Sequence, residues 1–158
     1  MGMEIERRFL VNGDGWRGQG KTERYRQGYL SVDPARTVRV RVVGDQAWLT
    51  IKAKLTDTSR YEFEYDIPLK DAEEILNVMC PMQVDKQRTR LTHAGMIWEV
   101  DEFFGANAGL VLAEIELPSE QTPFASPDWL GGEVTADGRF TNAWLADHPY
   151  ASWVDHSE

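Results

Sequence analysis

Strand after strand in this chain alternates an apolar row with a row of charges of a single sign. Successive side chains on an extended strand point to opposite faces. Val38, Val40 and Val42 therefore share one face, and Arg39 and Arg41 the other. In the same way Lys52 and Lys54 oppose Leu49, Ile51 and Ala53, and Glu62, Glu64 and Asp66 oppose Phe63, Tyr65 and Ile67. Lys86, Arg88 and Arg90 form another basic row, and Glu99 and Asp101 another acidic one. For one strand, the wet face of an ordinary antiparallel sheet accounts for such a row. For all of them together it does not, because like charges side by side cost energy and solvated faces ordinarily mix signs. A sheet closed into a barrel with its charged faces inward resolves the conflict if the lumen holds water, metal and a polyanion.

The first strand carries the densest set. Glu4, Glu6 and Arg8 point one way, and Ile5, Arg7 and Phe9 the other. A second Glu-x-Glu pair, Glu114 and Glu116, lies in the last strand. If these two strands face each other, four carboxylates converge on one point.

The pattern predicts eight strands, over residues 4–11, 23–32, 37–43, 47–55, 61–67, 84–92, 97–103 and 112–117. Gly44-Asp45 has the chemistry of a two-residue type II′ or I′ hairpin turn. Helical spacing of Leu69, Ala72, Ile75, Leu76 and Met79 predicts one strong helix, stopped by Pro81, and a short one follows at 141–146. Residues 12–20 read as a flexible loop, 123–138 as a turn-rich stretch, and Gly28 as the site of a bulge. The fold class is mainly β (α+β): a closed eight-stranded antiparallel barrel with a few flanking helices.

A chain of 158 residues is most economically one domain, residues 1–158, large enough to bury a full core without disulfides. Its apolar runs are far too short for a membrane helix, and nothing at the N-terminus suggests secretion, so a cytoplasmic location is expected. The lone Cys80 excludes an internal disulfide and a multi-cysteine zinc site. A net charge of -9 argues against nucleic acid as partner. A homodimer is compatible with the sequence but not required by it.

The series Glu-Ile-Glu-Arg-Arg-Phe-Leu-Val at 4–11, Arg26-Gln27-Gly28-Tyr29-Leu30, Val38-Arg39-Val40-Arg41, Leu49-Thr50-Ile51-Lys52 and Tyr61-Glu62-Phe63-Glu64 has a familiar order. It continues with Lys86-Gln87-Arg88, the run from Trp98 to Phe103, the run from Gly109 to Leu117, Glu133-Val134-Thr135 and Phe140-Thr141-Asn142. In this order the chain resembles the CYTH superfamily, the triphosphate tunnel metalloenzymes, whose signature is E-x-E-x-K. The resemblance implies a tunnel barrel, a divalent cation and a linear triphosphate or nucleoside triphosphate as ligand. The compact form is similar to short bacterial members that act as inorganic triphosphatases. A metal-dependent triphosphatase releasing phosphate from tripolyphosphate is the expectation. A non-catalytic polyphosphate or nucleotide binder, and an enzyme acting on nucleoside triphosphates (including adenylate cyclase chemistry), are the alternatives.

On this reading Glu4, Glu6, Glu114, Glu116 and Asp101 are candidate ligands for Mg²⁺ or Mn²⁺, hard ions that take oxygen donors. Glu62 and Glu64 either hold the cations in place or complete a second site. Arg39, Arg41, Lys52 and Arg88, with Lys54 and Arg90, are candidates to hold phosphate oxygens. Arg8 stands where the signature has lysine, and an arginine stays charged and can only orient and stabilise. Lys86, which matches the second family lysine, or a nearby carboxylate is then left to handle the attacking water. Slow turnover and binding without cleavage are the other two consequences weighed. His93, His148 and His156 read as surface residues, and Trp48, Trp98, Trp129 and Trp144 as core or rim packing. Tyr29 divides evenly between lumen and wall.

Overall fold

A computed structural model describes residues 2–153. Among them are nine strands: β1 (Gly2–Val11), β2 (Lys21–Ser31), β3 (Thr37–Val43), β4 (Gln46–Lys54), β5 (Ser59–Asp66), β6 (Met82–His93), β7 (Met96–Phe103), β8 (Val111–Glu116) and β9 (Leu130–Glu133). Helix α1 (Leu69–Met79) lies between β5 and β6, and α2 (Asn142–Asp147) follows β9. The sheet runs β5-β4-β3-β2-β6-β7-β8-β1 and closes through β1 and β5, every pairing antiparallel. Strand β1 makes the closure by dividing one of its edges. Gly2–Ile5 pairs with β5, whereas Phe9 and Val11 pair with β9. Residues 6–10 of the opposite edge pair with β8.

The expected eight strands and the closed barrel are present. The short β9 is an addition, in the stretch expected to be only turns. Its four residues lack a clear alternation, and its pairing comes from the free part of the β1 edge. Gly44 has φ +61 while Asp45 is not left-handed, so the hairpin turn is the II′ alternative. The β6–β7 turn has both Ala94 (φ 50) and Gly95 (φ 80) left-handed.

Apolar faces point outward and are covered in two places. Ala72 and Leu76 of α1 pack with Cys80 on Val40 and Ala47 of β3 and β4. A Cβ on Gly28 would stand 2.6 Å from Leu76 Cδ2 and 2.7 Å from Cys80 Cβ. Gly28 therefore lets the helix approach, and the register shift of β2 falls just beyond it, between Tyr29 and Ser31. On the other side Phe9, Trp98, Phe124 and Trp129 make edge-to-face contacts with ring centroids 5.6 to 6.0 Å apart. Trp16, in the stretch expected to be a flexible loop, is buried in this cluster and donates its indole N–H to Gly13 O at 3.2 Å. One large aromatic outweighs the surrounding glycines, because burying such a side chain is worth roughly 1.5–3 kcal/mol.

At one end the lumen itself turns apolar. Tyr29, Val84, Phe103 and Leu112 lie on the same strand faces as the charged rows and pack with Phe140, Leu145 and Ala146. The α2 segment thereby plugs the barrel. Among the described residues no helix is long and apolar enough to cross a membrane.

Candidate active site in the barrel lumen

A cavity of about 740 Å³ fills the lumen. Eight-stranded barrels are just wide enough to be filled by side chains or to hold one small ligand. Of the residues singled out from the sequence, Glu4, Glu6, Arg8, Arg39, Arg41, Lys52, Lys54, Glu62, Glu64, Lys86, Arg88, Glu114 and Glu116 line it. Asp101 is buried in the wall behind them, and Arg90 is exposed, with its Nε 3.7 Å from Glu99. Lys54 sits at the rim and pairs with Asp57 at 3.2 Å.

Strands β1 and β8 do face each other, with Glu6 opposite Glu116 and Arg8 opposite Glu114. The four glutamates nevertheless do not meet at one point, because basic side chains divide them. Arg8 donates from Nε to Glu114 Oε2 and from Nη2 to Glu6 Oε1, both at 2.9 Å. Lys52 Nζ donates to Glu4 Oε1 at 3.0 Å and lies 3.4 Å from Glu62. Among the described residues no three acidic, histidine or cysteine side chains already stand as a metal site.

Arg88 is the most heavily paired cation. Its Nε and Nη2 bind both oxygens of Asp101 at 2.7 and 2.9 Å, and it also reaches Glu99 at 3.1 Å and Glu114 at 3.2 Å. Burial opposes its charge, but these acids outweigh burial and raise its pKa well above the ordinary value. Asp101 is correspondingly held low: burial would raise it, and Arg88 and then Lys86 more than cancel that. Lys86 is only 1% exposed and donates to Asp101 Oδ2 at 2.7 Å and to Asn142 Oδ1 at 2.9 Å. Its pKa is lowered to about 7, chiefly by burial, with Arg88 adding to it. Asp101 raises it again but restores only part of what burial removes.

Two groups of like charge remain short of compensation. Arg41 donates from Nε to Gln27 Oε1 at 3.1 Å and lies over the Tyr25 ring; burial first, then Arg39 and Arg88, lower its pKa to about 10. Arg39 donates from Nη2 to Thr50 at 3.2 Å and lies 3.8 Å from Glu64, while its buried Nε has no partner. Across the lumen, the Glu116 side chain makes no hydrogen bond or ion pair among the described residues. Burial and then Glu4, Glu62 and Glu6 push its pKa up to about 6. Glu6 is raised as well, by burial and then by Glu114 and Glu4. Carboxylates that crowd one another into taking up protons are a hard oxygen donor set, which suits a small divalent cation.

The lumen also contains residues that sequence reasoning left out. Thr50 lies two residues from Lys52 and Arg60 two from Glu62, so alternation alone would have placed both inward. Tyr25 and Gln27 follow by the same rule from Tyr29, which is on the lumen side. Asn142 comes from α2, and no strand period points to it. His148 stacks on Trp144 at 3.9 Å beside the cavity, and His156 lies outside the described residues.

The comparisons agree with this geometry. The CYTH domain model matches residues 2–140. An inorganic triphosphatase of Acetivibrio thermocellus is 48% identical over 156 residues, covering 98% of this chain and all of the relative. An inorganic triphosphatase of Nitrosomonas europaea is 34% identical over 148 residues, covering 90% and 96%. The crystal structure of the inorganic triphosphatase NE1496 matches with a TM-score of 0.68 at 33% identity, over 90% of this chain and 93% of that one. The Hippeastrum protein HpAC1, at 15% identity and a TM-score of 0.55 over 75% and 80%, shares the fold. With a barrel closed through β1, a lumen divided between acids and bases, and a match along nearly its whole length, the chain belongs to the CYTH domain family.

Proposed function

We propose that this chain, with residues 1–158 as one domain, is a metal-dependent triphosphatase that hydrolyses inorganic tripolyphosphate to pyrophosphate and phosphate inside its lumen. The observation that carries this reading is the Arg39–Arg41 pair: a buried and a half-buried cation on one strand face that share a single distant acid, Glu64 at 3.8 Å from Arg39, inside an acidic protein. Only an anion of high charge density compensates such a pair. The two relatives named inorganic triphosphatase support the same substrate class.

CYTH triphosphatases are metal-dependent in general. We read the ion as Mg²⁺ or Mn²⁺, held by Glu4, Glu6, Glu114 and Glu116 with Glu62 and Glu64 beside them, and Asp101 acting through Arg88 and Lys86. When bound, it supplies neutralisation of charge on the phosphate oxygens. The remaining tasks fall to the chain. Arg39, Arg41, Lys52 and Arg88 hold the phosphoryl oxygens, and Lys54 at the rim and exposed Arg90 draw the anion in. Water attacks the terminal phosphorus, the bridging P–O bond breaks and pyrophosphate departs with its electron pair. Lys86, with a pKa near neutrality, takes the proton of the attacking water. Arg8 stays protonated and holds Glu6 and Glu114 in place, which favours the reading in which its replacement of lysine leaves the chemistry to Lys86.

The test is phosphate release from tripolyphosphate, with ATP in parallel, in Mg²⁺, Mn²⁺ or excess chelator. Metal-dependent release from tripolyphosphate exceeding that from ATP is expected. Binding by calorimetry without release would overturn the enzyme in favour of a polyphosphate binder, and faster release from ATP would make it a nucleoside triphosphatase.

A further inference from the structure

Asn142 is the one residue through which the plug reaches the charged part of the lumen with a side-chain amide, and its orientation follows from its partners. Arg41 can only donate, so the Gln27 oxygen that faces Arg41 Nε at 3.1 Å is an acceptor. Gln27 Nε2 must then be the atom that donates to Asn142 Oδ1 at 3.1 Å and meets Tyr29 Oη at 3.1 Å. Lys86, which has N–H donors for both Asp101 and Asn142 whether or not it is protonated, points Nζ at the same Asn142 oxygen from 2.9 Å. Both approaches fix Oδ1 toward the wall. The amide nitrogen is left on the other side, with no hydrogen-bond partner among the described residues, on a residue that lines the cavity.

We infer that Asn142 is a positioning residue for Lys86 and, through Nδ2, a neutral hydrogen-bond donor to the phosphoryl oxygens of the bound triphosphate. This rests on the triphosphatase reading for the substrate, but not for the positioning of Lys86. Oδ1 joins Arg41, through Gln27, to Lys86, and Asp101 carries the chain of hydrogen bonds on from Lys86 to Arg88, so the amide fixes Lys86 between two arginines. A neutral donor also adds an interaction with the anion without adding repulsion to this arginine-rich arc. The plug is held in turn by Leu145 in its apolar cluster and by Thr141, whose hydroxyl accepts from Trp144 N at 3.2 Å.

Two substitutions separate the two roles. Asn142→Asp keeps an acceptor for Lys86 and Gln27 but turns an acceptor oxygen toward the anion. Asn142→Ala removes both. Each variant is examined for kcat and KM on tripolyphosphate, tripolyphosphate affinity by calorimetry, melting temperature, and the Lys86 side-chain resonance in ¹⁵N-lysine protein free of metal and substrate. For Asn142→Asp, KM and Kd for tripolyphosphate rise by about tenfold to a hundredfold with the melting temperature kept, as for loss of a hydrogen bond to a charged group. For Asn142→Ala, the Lys86 resonance moves and kcat falls by about tenfold or more. Unchanged tripolyphosphate affinity in Asn142→Asp would overturn the donor role. An unmoved Lys86 resonance with unchanged kcat in Asn142→Ala would overturn the positioning role. If the parent protein neither binds nor cleaves tripolyphosphate, the triphosphatase reading and the donor role fail together, and the Lys86 resonance still decides the positioning.

Discussion

Two arcs of the lumen wall use charge differently. Where acids and bases alternate between neighbouring strands, they satisfy one another: Arg8 joins Glu6 to Glu114, Arg88 spans Asp101, Glu99 and Glu114, and Lys52 spans Glu4 and Glu62. Where one sign accumulates, compensation stops. Arg39 and Arg41 of β3 are left short of acids, and Glu116 of β8 is left short of bases. The paired charges tie the wall together as a frame, and on the proposed reading the surplus charges are the ones with most left to gain from the ligand. Sequence rows of one sign do not distinguish the two, because Arg88 and Arg41 look equivalent until their cross-strand neighbours are known.

The largest expected effect comes from the surplus side. Replacing Arg39 and Arg41 together by alanine should lower kcat/KM on tripolyphosphate by about a hundredfold or more, as two charge-assisted hydrogen bonds are lost. The melting temperature should hold or rise, because mutual repulsion is removed. A large fall in melting temperature would break the comparison by placing this pair in the frame.

The paired side should respond in the opposite sense. Glu114→Ala takes one buried carboxylate from both Arg8 and Arg88, which keep Glu6 and Asp101 with Glu99, and losing hydrogen bonds between charged groups in this way should cost about 1.5–3 kcal/mol. Chemical denaturation should read this as a clear loss of midpoint. A midpoint equal to that of the parent would show that Glu114 is no part of the frame.

A smaller effect sharpens the contrast between lumen and outer wall on a single strand. Gly28→Ala pushes a methyl into Leu76 and Cys80 and should cost about 1–3 kcal/mol through overpacking. The kcat of the folded fraction should stay within about threefold of the parent, since α1 stands outside the barrel.

The smallest effect is a dependence on pH. Glu116 has its pKa raised from 4.5 to about 6, so its charge destabilises the metal-free protein above pH 6, and protonation relieves this as the pH falls toward 4.5. In chelator, Glu116→Gln should melt about 1–2 °C above the parent at neutral pH, with the gap closing by pH 4.5. Saturating Mn²⁺ should reverse the order by stabilising the parent more. A gap in chelator that is independent of pH would remove Glu116 from the surplus acids.

Alternation by itself determined the eight barrel strands and the inward direction of their charged rows, because a period of two admits only two faces and a charged row cannot pack against α1 or the tryptophan cluster. It therefore placed Glu4, Glu6, Arg39, Arg41, Lys52, Lys86, Arg88, Glu114 and Glu116 on lumen faces. The same rule, carried two residues further, would have reached Thr50 and Arg60, which the sequence reading left out. Other features came only from tertiary structure. Strand β9 exists because β1 leaves part of an edge free beyond its pairing with β5. Residues 12–20 are anchored because Trp16 finds an apolar cluster assembled from distant strands. The plug and Asn142 lie within hydrogen-bond reach of Lys86 through packing between segments 56 residues apart in sequence. Register decided which charges are spent on one another, since whether Arg8 meets Glu114 or Glu116 depends on a pairing that no local pattern encodes.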